Sequence, residues 1–392
     1  MNKIAIIGTG TAGIVSISHC LAFLPQDWEV TSIYDPNIPM LGIGESTSTQ
    51  IPLTLYHGTG LNLLDGAPDL DATIKHGVKY SNWRENDFFT KIPPPFYAMH
   101  FNNFKLKEYA FERFEHRWGS KFKTVLGEIT NIVDFNDKVT ITLADKTEHY
   151  FDYLIDCRGY PDDYSGYYSV DIPVNHCLVH TINEPGDWNY THHYAHPNGW
   201  MFGIPLQTRQ GWGYLYNDNI TSRDDAVNDI ARIFNTDSNE LNLREFSFKN
   251  YKAKKFIDGR IIKNGNRALF FEPLEALSGW MYDGIIRTFF DMALSNIHDE
   301  DSANEYLHTL ADDYELFIHF MYHGGSVYDS DFWKITKEKS SQKISQSKKF
   351  KEHIKSMKGL DPAMYSSPAL VYPFPISVWK QIDNDMQYHY FD

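Results

Sequence analysis

The sequence predicts an α/β fold, and three observations predict it. The chain opens on a short continuous apolar run, Ile4-Ala5-Ile6-Ile7, of the kind buried on both faces of a parallel sheet. A glycine-rich turn, Gly8-Thr9-Gly10-Thr11-Ala12-Gly13, follows at once and leads into a helical pattern from Ile14 to about Leu24. A second strand, Glu29 to Tyr34, then ends on an acid, Asp35. Strand, turn, helix and strand make one βαβ unit of the Rossmann type.

Each part of that unit has a physical task. Gly8 allows the tight turn, Gly10 lets a phosphate approach the backbone, and Gly13 lets the helix lie close to the strand. Thr11 and Ala12 open a helix whose free amides and dipole favour an anion. Asp35 lies 22 residues after Gly13, where a carboxylate bonds ribose hydroxyls. The pattern predicts a bound dinucleotide. The loop alone does not separate flavin from nicotinamide.

Further along, residues 136–156 read as a hairpin around Asp145-Lys146, and 198–217 as two strands around 207–211. Residues 284–325 read mostly as helix. No repeat and no long low-complexity linker interrupts the pattern.

With 392 residues, 42% hydrophobic and 22% charged, the chain reads as soluble and globular. No apolar run reaches membrane-spanning length, and no signal-peptide pattern precedes the first strand. A net charge of −15 argues against nucleic acid as a partner. Cys20, Cys157 and Cys177 make no disulfide framework and read as reduced core residues of a cytoplasmic protein. Residues 334–358 carry nine lysines and two glutamates. They read as a solvated helix with Phe350, Ile354 and Met357 inward; the alternative is a docking patch for an acidic partner. His319 and His323 are four apart but lack the H-E-x-x-H pattern, and His192, His193 and His196 sit in a loop-like stretch with no completing ligand. No metal site is expected.

Seven further segments, in order, carry a family resemblance. They are Leu41-Gly-Ile-Gly44-Glu45-Ser46-Thr47, Gly77-Val78-Lys79-Tyr80-Ser81-Asn82-Trp83, Asp156-Cys157-Arg158-Gly159-Tyr160, Ile172-Pro173-Val174-Asn175, Gly199-Trp200-Met201-Phe202-Gly203-Ile204-Pro205, Pro273-Leu274-Glu275, and Phe317 through Trp333. Together they resemble the flavin-dependent halogenases of the tryptophan-halogenase type. The resemblance implies FAD, used as FADH2, with O2 and a halide ion. Gly44, Glu45, Ser46 and Asp156 would join the loop and Asp35 at the cofactor. Reduced flavin and O2 would oxidise halide to hypohalous acid, which a lysine captures and directs to an electron-rich aromatic such as a phenol, indole or aniline. By the motif around it, that lysine is Lys79. Glu275 is the assisting carboxylate, with Glu272 as its rival, and Ser278 and Gly279 would hold the halide. Trp200 and Phe202 would line the tunnel, with His100 and Phe101 as aromatic substrate contacts; core packing is the competing reading for all four.

The departures are as specific as the matches. Phe202 replaces the second tryptophan of the family's G-W-x-W-x-I-P, and Arg158 replaces a serine. Asn266-Arg267 interrupts the family's G-D-A-A, and Ala276-Leu277-Ser278-Gly279 is one residue longer than the family's S-T-G. The longer segment predicts a wider halide site favouring bromide or iodide.

The resemblance implies a Rossmann-type FAD-binding domain over 1–300, with an inserted mixed or antiparallel β-sheet at about 85–115 and 165–260. Residues 301–392 would form a shortened helical cap. With no second dinucleotide unit, reduced flavin would come from a separate reductase. A homo-oligomer is compatible with these features. The competing functions are a flavin monooxygenase that hydroxylates an aromatic and a non-catalytic flavin-binding protein.

Overall fold

A computed structural model describes residues 2–358 and 376–391, apart from Leu41, Ile43, Pro93, Pro95, Asn296 and His298. Those parts of the 41–47 motif and of the proline run at 93–95 lie outside the described residues. The chain divides into two units. The first comprises Met1–Ala72, Phe101–Val170 and Tyr251–Ala311; the second comprises Thr73–His100, Asp171–Asn250 and Asp312–Asp392. The insertion therefore begins and ends earlier than expected at its first part. Residues beyond His100 return to the nucleotide unit as the helix Asn103–Trp118, whose N-cap Asn102 accepts the Phe104 amide.

The first unit is built on a six-stranded sheet. Its spatial order is Ile257–Asp258, Ile261–Lys263, Tyr153–Asp156, Lys3–Ile7, Glu29–Tyr34, Phe122–Leu126. The pairings are parallel except at the Ile257–Asp258 edge. The chain moves outward on one side of Lys3–Ile7 and later returns to its other side as Tyr153–Asp156. That reversal is a topological switch point, where open α/β sheets bind ligands at the carboxyl ends of their strands.

The expected hairpin forms between Val139–Leu143 and Glu148–Phe151, with Ile129–Asp134 as a third antiparallel strand. Tyr153–Asp156, expected within it, joins the parallel sheet instead. Two backbone-directed bonds make the switch: Asp152 N–H donates to the Lys3 carbonyl at 2.8 Å, and Lys3 N–H donates to Asp152 Oδ2 at 2.7 Å. Leu154 then packs with Ala5, Ile7, Ile33, Val139, Ile141 and Phe151 in one core. Each such buried aliphatic contributes about 1.5–3 kcal/mol.

The second unit holds a seven-stranded mixed sheet. Its order is Arg244–Ser247, His176–Ile182, Gln210–Tyr216, Gly199–Pro205, Thr191–His196, Gly77–Ser81, Phe88–Lys91. Only Thr191–His196 and Gly77–Ser81 pair in parallel. The strand pair expected at 198–217 is present, and His192, His193 and His196, expected in a loop, lie on a strand. The helix Arg223–Phe234, capped by Ser222, buries Ala226, Val227 and Ile230 against Leu178, Met201, Tyr214 and Tyr216. A short two-stranded sheet pairs Thr73–Lys75 with Ala98–His100.

The basic stretch forms two helices, Asp331–Gln346 and Lys348–Met357. Phe350 is buried on them; the side chain of Met357 lies outside the described residues. Much of their charge is met locally. Lys339 pairs with Asp171, Lys343 with Glu315, and Lys349 with the buried Asp313 at 2.7 Å.

Candidate functional site

The glycine loop has the geometry of a phosphate cradle. Gly8 has φ +96°, and a Cβ there would come within 2.6 Å of the Cys157 carbonyl. A Cβ on Gly13 would lie 2.1 Å from the Gly8 carbonyl, so only glycine lets the helix approach the turn. Gly10, the N-cap, has nothing within 4 Å of its missing Cβ, which leaves the helix end open to a ligand. The first turn of that helix holds no acid, so the amides after Gly10 point at an uncontested space. Thr11 and Ala12 open this turn, and the Thr11 hydroxyl bonds Asn103 Oδ1 at 3.1 Å. Asp35, half-buried at the tip of the second strand, accepts both Asn37 bonds on one oxygen, Oδ1. These residues fit a dinucleotide.

Gly44 also adopts a positive φ, +81°, with open space where a Cβ would be. Glu45 is buried, and its carboxylate accepts the Asn103 amide at 3.3 Å. Its carbonyl takes the amide of Phe101, which is fully buried. Ser46 is half-buried. Glu45 and Phe101 thus hold one helix start in place. Asp156 is occupied too: Arg158 bonds both its oxygens at 2.8–3.0 Å, and Arg267 Nε stands 3.3 Å from Oδ2.

At the Pro273-Leu274-Glu275 segment the backbone is strained. Glu275 and Ala276 have φ +62° and +54°, both left-handed and both with a Cβ. Such residues cost about 1–3 kcal/mol each and persist where the surroundings over-determine them. Leu274 and Leu277, buried on either side, are the anchors. Glu275 is half-buried while Glu272 is wholly buried, so Glu275 is the carboxylate of the two that a ligand can reach. The 16-residue helix Ser278–Ala293 starts directly after, with no acid in its first turn. The Ser278 hydroxyl bonds the Tyr282 phenol. Gly279 lies against Ser48, whose Oγ would be 2.6 Å from a Cβ there. That Oγ is buried and has no hydrogen-bond partner among the described residues. An orphaned hydroxyl beside a helix N-terminus fits a small anion such as halide. The sequence reading passed over Ser48.

The seven-stranded sheet has two faces with different chemistry. Register puts Tyr80, His193 and Phe202 side by side on one face, with Trp200 beyond them. His193 meets the Tyr80 ring edge-on and the Trp200 ring at a tilt, with ring centroids 5.1 and 4.8 Å apart. Trp200 Nε1 donates to the Tyr322 hydroxyl at 2.6 Å, and the Phe202 ring fills the space a Cβ on Gly213 would need. His100 is fully buried and satisfied at both nitrogens, by Thr73 Oγ1 at 3.1 Å and Thr191 Oγ1 at 2.9 Å. Burial holds the His100 and His193 imidazoles well below their usual pKa, and the ammonium of Lys75 adds to the effect on both. Lys75 itself is only 3% exposed.

Lys79 lies on the opposite face. Its register partner is His192, next to Gly203 and Trp212. Its ammonium pairs with Asp87 at 3.0 Å, with 34% and 47% of the two side chains exposed. The Asp87 bond, opposed by partial burial, raises the Lys79 pKa. Ser81 bridges Asp87 and His192 at 2.9 Å each. The expected group of Lys79, His100, Trp200 and Phe202 is therefore divided by the sheet. The buried lysine on the strand paired with Ala98–His100 is Lys75.

Cys20 and Cys177 are buried and Cys157 is half-buried; burial pushes all three thiols up, Cys157 and Cys177 to about 12. Nδ1 of His319 meets Ser340 Oγ, and His323 meets Ser341 and Tyr390. Among the described residues no group of three or more His, Cys, Asp or Glu could hold a metal, and no helix is long and apolar enough to cross a membrane.

A glycine cradle at the switch point of a parallel sheet, with an aromatic-rich sheet inserted in the chain, defines a dinucleotide-binding α/β enzyme class. Within that class the chain belongs to the tryptophan halogenase family, whose model matches residues 3–128 and 96–367. It is an oxidoreductase that uses FAD, dioxygen and a halide ion. It is 22% identical to the tryptophan 7-halogenase RebH of Lentzea aerocolonigenes, over 86% of this chain and 79% of that protein. It is 20% identical to the tryptophan 6-halogenase ThaL of Streptomyces albogriseolus over the same shares. The fold matches a tryptophan halogenase from Shewanella frigidimarina with a TM-score of 0.81 at 19% identity, covering 98% of this chain and 89% of that one. A flavin-dependent halogenase from Xanthomonas campestris matches with a TM-score of 0.81 at 16% identity, over 98% and 88%.

Proposed function

We propose that this chain halogenates an electron-rich aromatic of the phenol, indole or aniline type, and that Lys75 rather than Lys79 handles the oxidant. The observation that carries the choice is the placement of Lys75: it is buried, on the strand that pairs with Ala98–His100, two residues from the Thr73 hydroxyl that bonds His100. Hypohalous acid must be kept from water and needs a donor that sharpens its electrophilicity. A buried ammonium is shielded from water and can donate to the oxidant; Lys79, a third exposed and paired with the exposed Asp87, is open to solvent. Glu275 supplies the carboxylate that stabilises the cationic ring intermediate or takes its proton. The loop Gly8–Gly13 takes the pyrophosphate and Asp35 the ribose. Ser48 and the Ser278–Gly279 amides hold the halide, and the longer segment there favours bromide or iodide. Reduced flavin comes from a separate reductase.

The test pairs two variants, assayed with a flavin reductase, each halide, and a panel of phenols, indoles and anilines. Lys75→Ala is expected to abolish halogenated product while reduced flavin is still consumed, and Lys79→Ala to keep product within a few-fold of native. Product lost in Lys79→Ala but kept in Lys75→Ala returns the role to Lys79.

A further inference from the structure

We propose that Arg158 and Arg267 form a cationic clamp on the pyrophosphate of the flavin dinucleotide. The proposal rests on the flavin reading of the Gly8–Gly13 loop and adds two ligands to it.

Asp156 ends the strand that flanks Lys3–Ile7 at the switch point, in register with Ile7. One arginine already satisfies it. Arg158 Nε donates to Oδ1 at 3.0 Å and Nη2 to Oδ2 at 2.8 Å, a bidentate fork. Arg267 then brings a second cation to the same carboxylate, Nε to Oδ2 at 3.3 Å. Two guanidinium groups on one carboxylate leave an excess positive charge. Asp162, the other acid whose charge reaches Arg158, is exposed and screened by solvent.

That excess sits where an anion is due. The Arg158 amide is 3.6 Å from the Cβ position of Gly8. The segment bearing Arg267 is tied to the nucleotide helix: Asn264 N–H donates to the Asp156 carbonyl at 2.9 Å, and Asn264 Nδ2 donates to Ser16 Oγ at 3.1 Å. Gly265, φ +63°, lies so near Ala12 that a Cβ would come within 2.6 Å of it. Arg158 Nη1 and both Nη atoms of Arg267 bond no group among the described residues. The two side chains are 36% and 20% exposed, so neither is sealed in the core. Asp156 thus acts as the positioning residue, and the arginines as the ligands.

The test is flavin binding, read by quenching of flavin fluorescence at low and high salt, with FAD and with phosphate-free riboflavin. Arg158→Ser and Arg267→Gln should each weaken FAD binding about tenfold at low salt and flatten its salt dependence. Riboflavin binding should not change, and Arg267→Lys should recover most of the loss. Each single change leaves Asp156 paired with the other arginine, so the fold is kept. Unchanged FAD affinity and salt slope in both variants, or an equal loss for riboflavin, overturns the clamp. A native chain that binds neither flavin overturns the flavin reading with it.

Discussion

At Glu275 and Ala276 two side-chain-bearing residues in succession hold left-handed backbone, and the strain falls on the candidate catalytic carboxylate. Ala276→Gly should relieve it and stabilise the fold by up to about 1 kcal/mol, read as a raised melting temperature. A lowered melting temperature contradicts that account. The glycine loop was legible as packing, because the contacts that forbid a Cβ at Gly8 and Gly13 are local to the turn. Lys75 was not legible. With strand periodicity alone, Lys75 and Lys79 share a face, and the motif drew attention to the second. Likewise no spacing rule announces that Arg158 and Arg267, 109 positions apart in the sequence, meet on one carboxylate.

The reason Lys75 escaped lies in the elements. The strand breaks at His76, whose amide turns to the Asn189 carbonyl. Thr73–Lys75 then pairs with Ala98–His100, and Gly77–Ser81 with Thr191–His196. A one-residue break of this kind reassigns every side chain after it. Local alternation did reveal the Val139–Phe151 hairpin and the 199–216 pair. It missed the departure of Tyr153–Asp156 into the parallel sheet, which long-range bonds to Lys3 decide. The basic helices carry a prediction at this scale. Lys349 answers the buried Asp313, which His353 also meets at 2.9 Å. Lys349→Met should cost about 1–3 kcal/mol in denaturant unfolding, whereas Lys351→Met, with an exposed side chain, should cost under about 0.5 kcal/mol. Equal effects would make Lys349 an ordinary surface lysine.

For the whole molecule, the α/β class and the inserted mixed sheet followed from the sequence because they rest on one strong βαβ signal and on ordered motifs. The division of the chain did not, because it depends on which segments pack together rather than on any single stretch. The second unit buries several imidazoles in neutral form. Burial holds His192 at about 4 and His196 and His319 at about 3, while His100 and His193 also lie far below the usual value. An unfolded chain takes up these protons near pH 6.5, and the folded one does not. The stability they contribute is therefore intact above pH 6.5 and lost as pH falls toward 4, by up to about 1.4 kcal/mol per unit for each group. Melting temperature should decline steadily from pH 7 to 5, and His196→Gln should flatten the decline. A constant melting temperature down to pH 5 contradicts it.

Halogen transfer to an aromatic ring is read from the mass spectrum of the product. The native chain, supplied with a flavin reductase, FAD, oxygen, bromide and an electron-rich aromatic, should yield a product with one hydrogen replaced by bromine. Its isotope doublet would be unmistakable. A product that has gained oxygen instead, or an unmodified aromatic recovered while reduced flavin is consumed, would contradict the account.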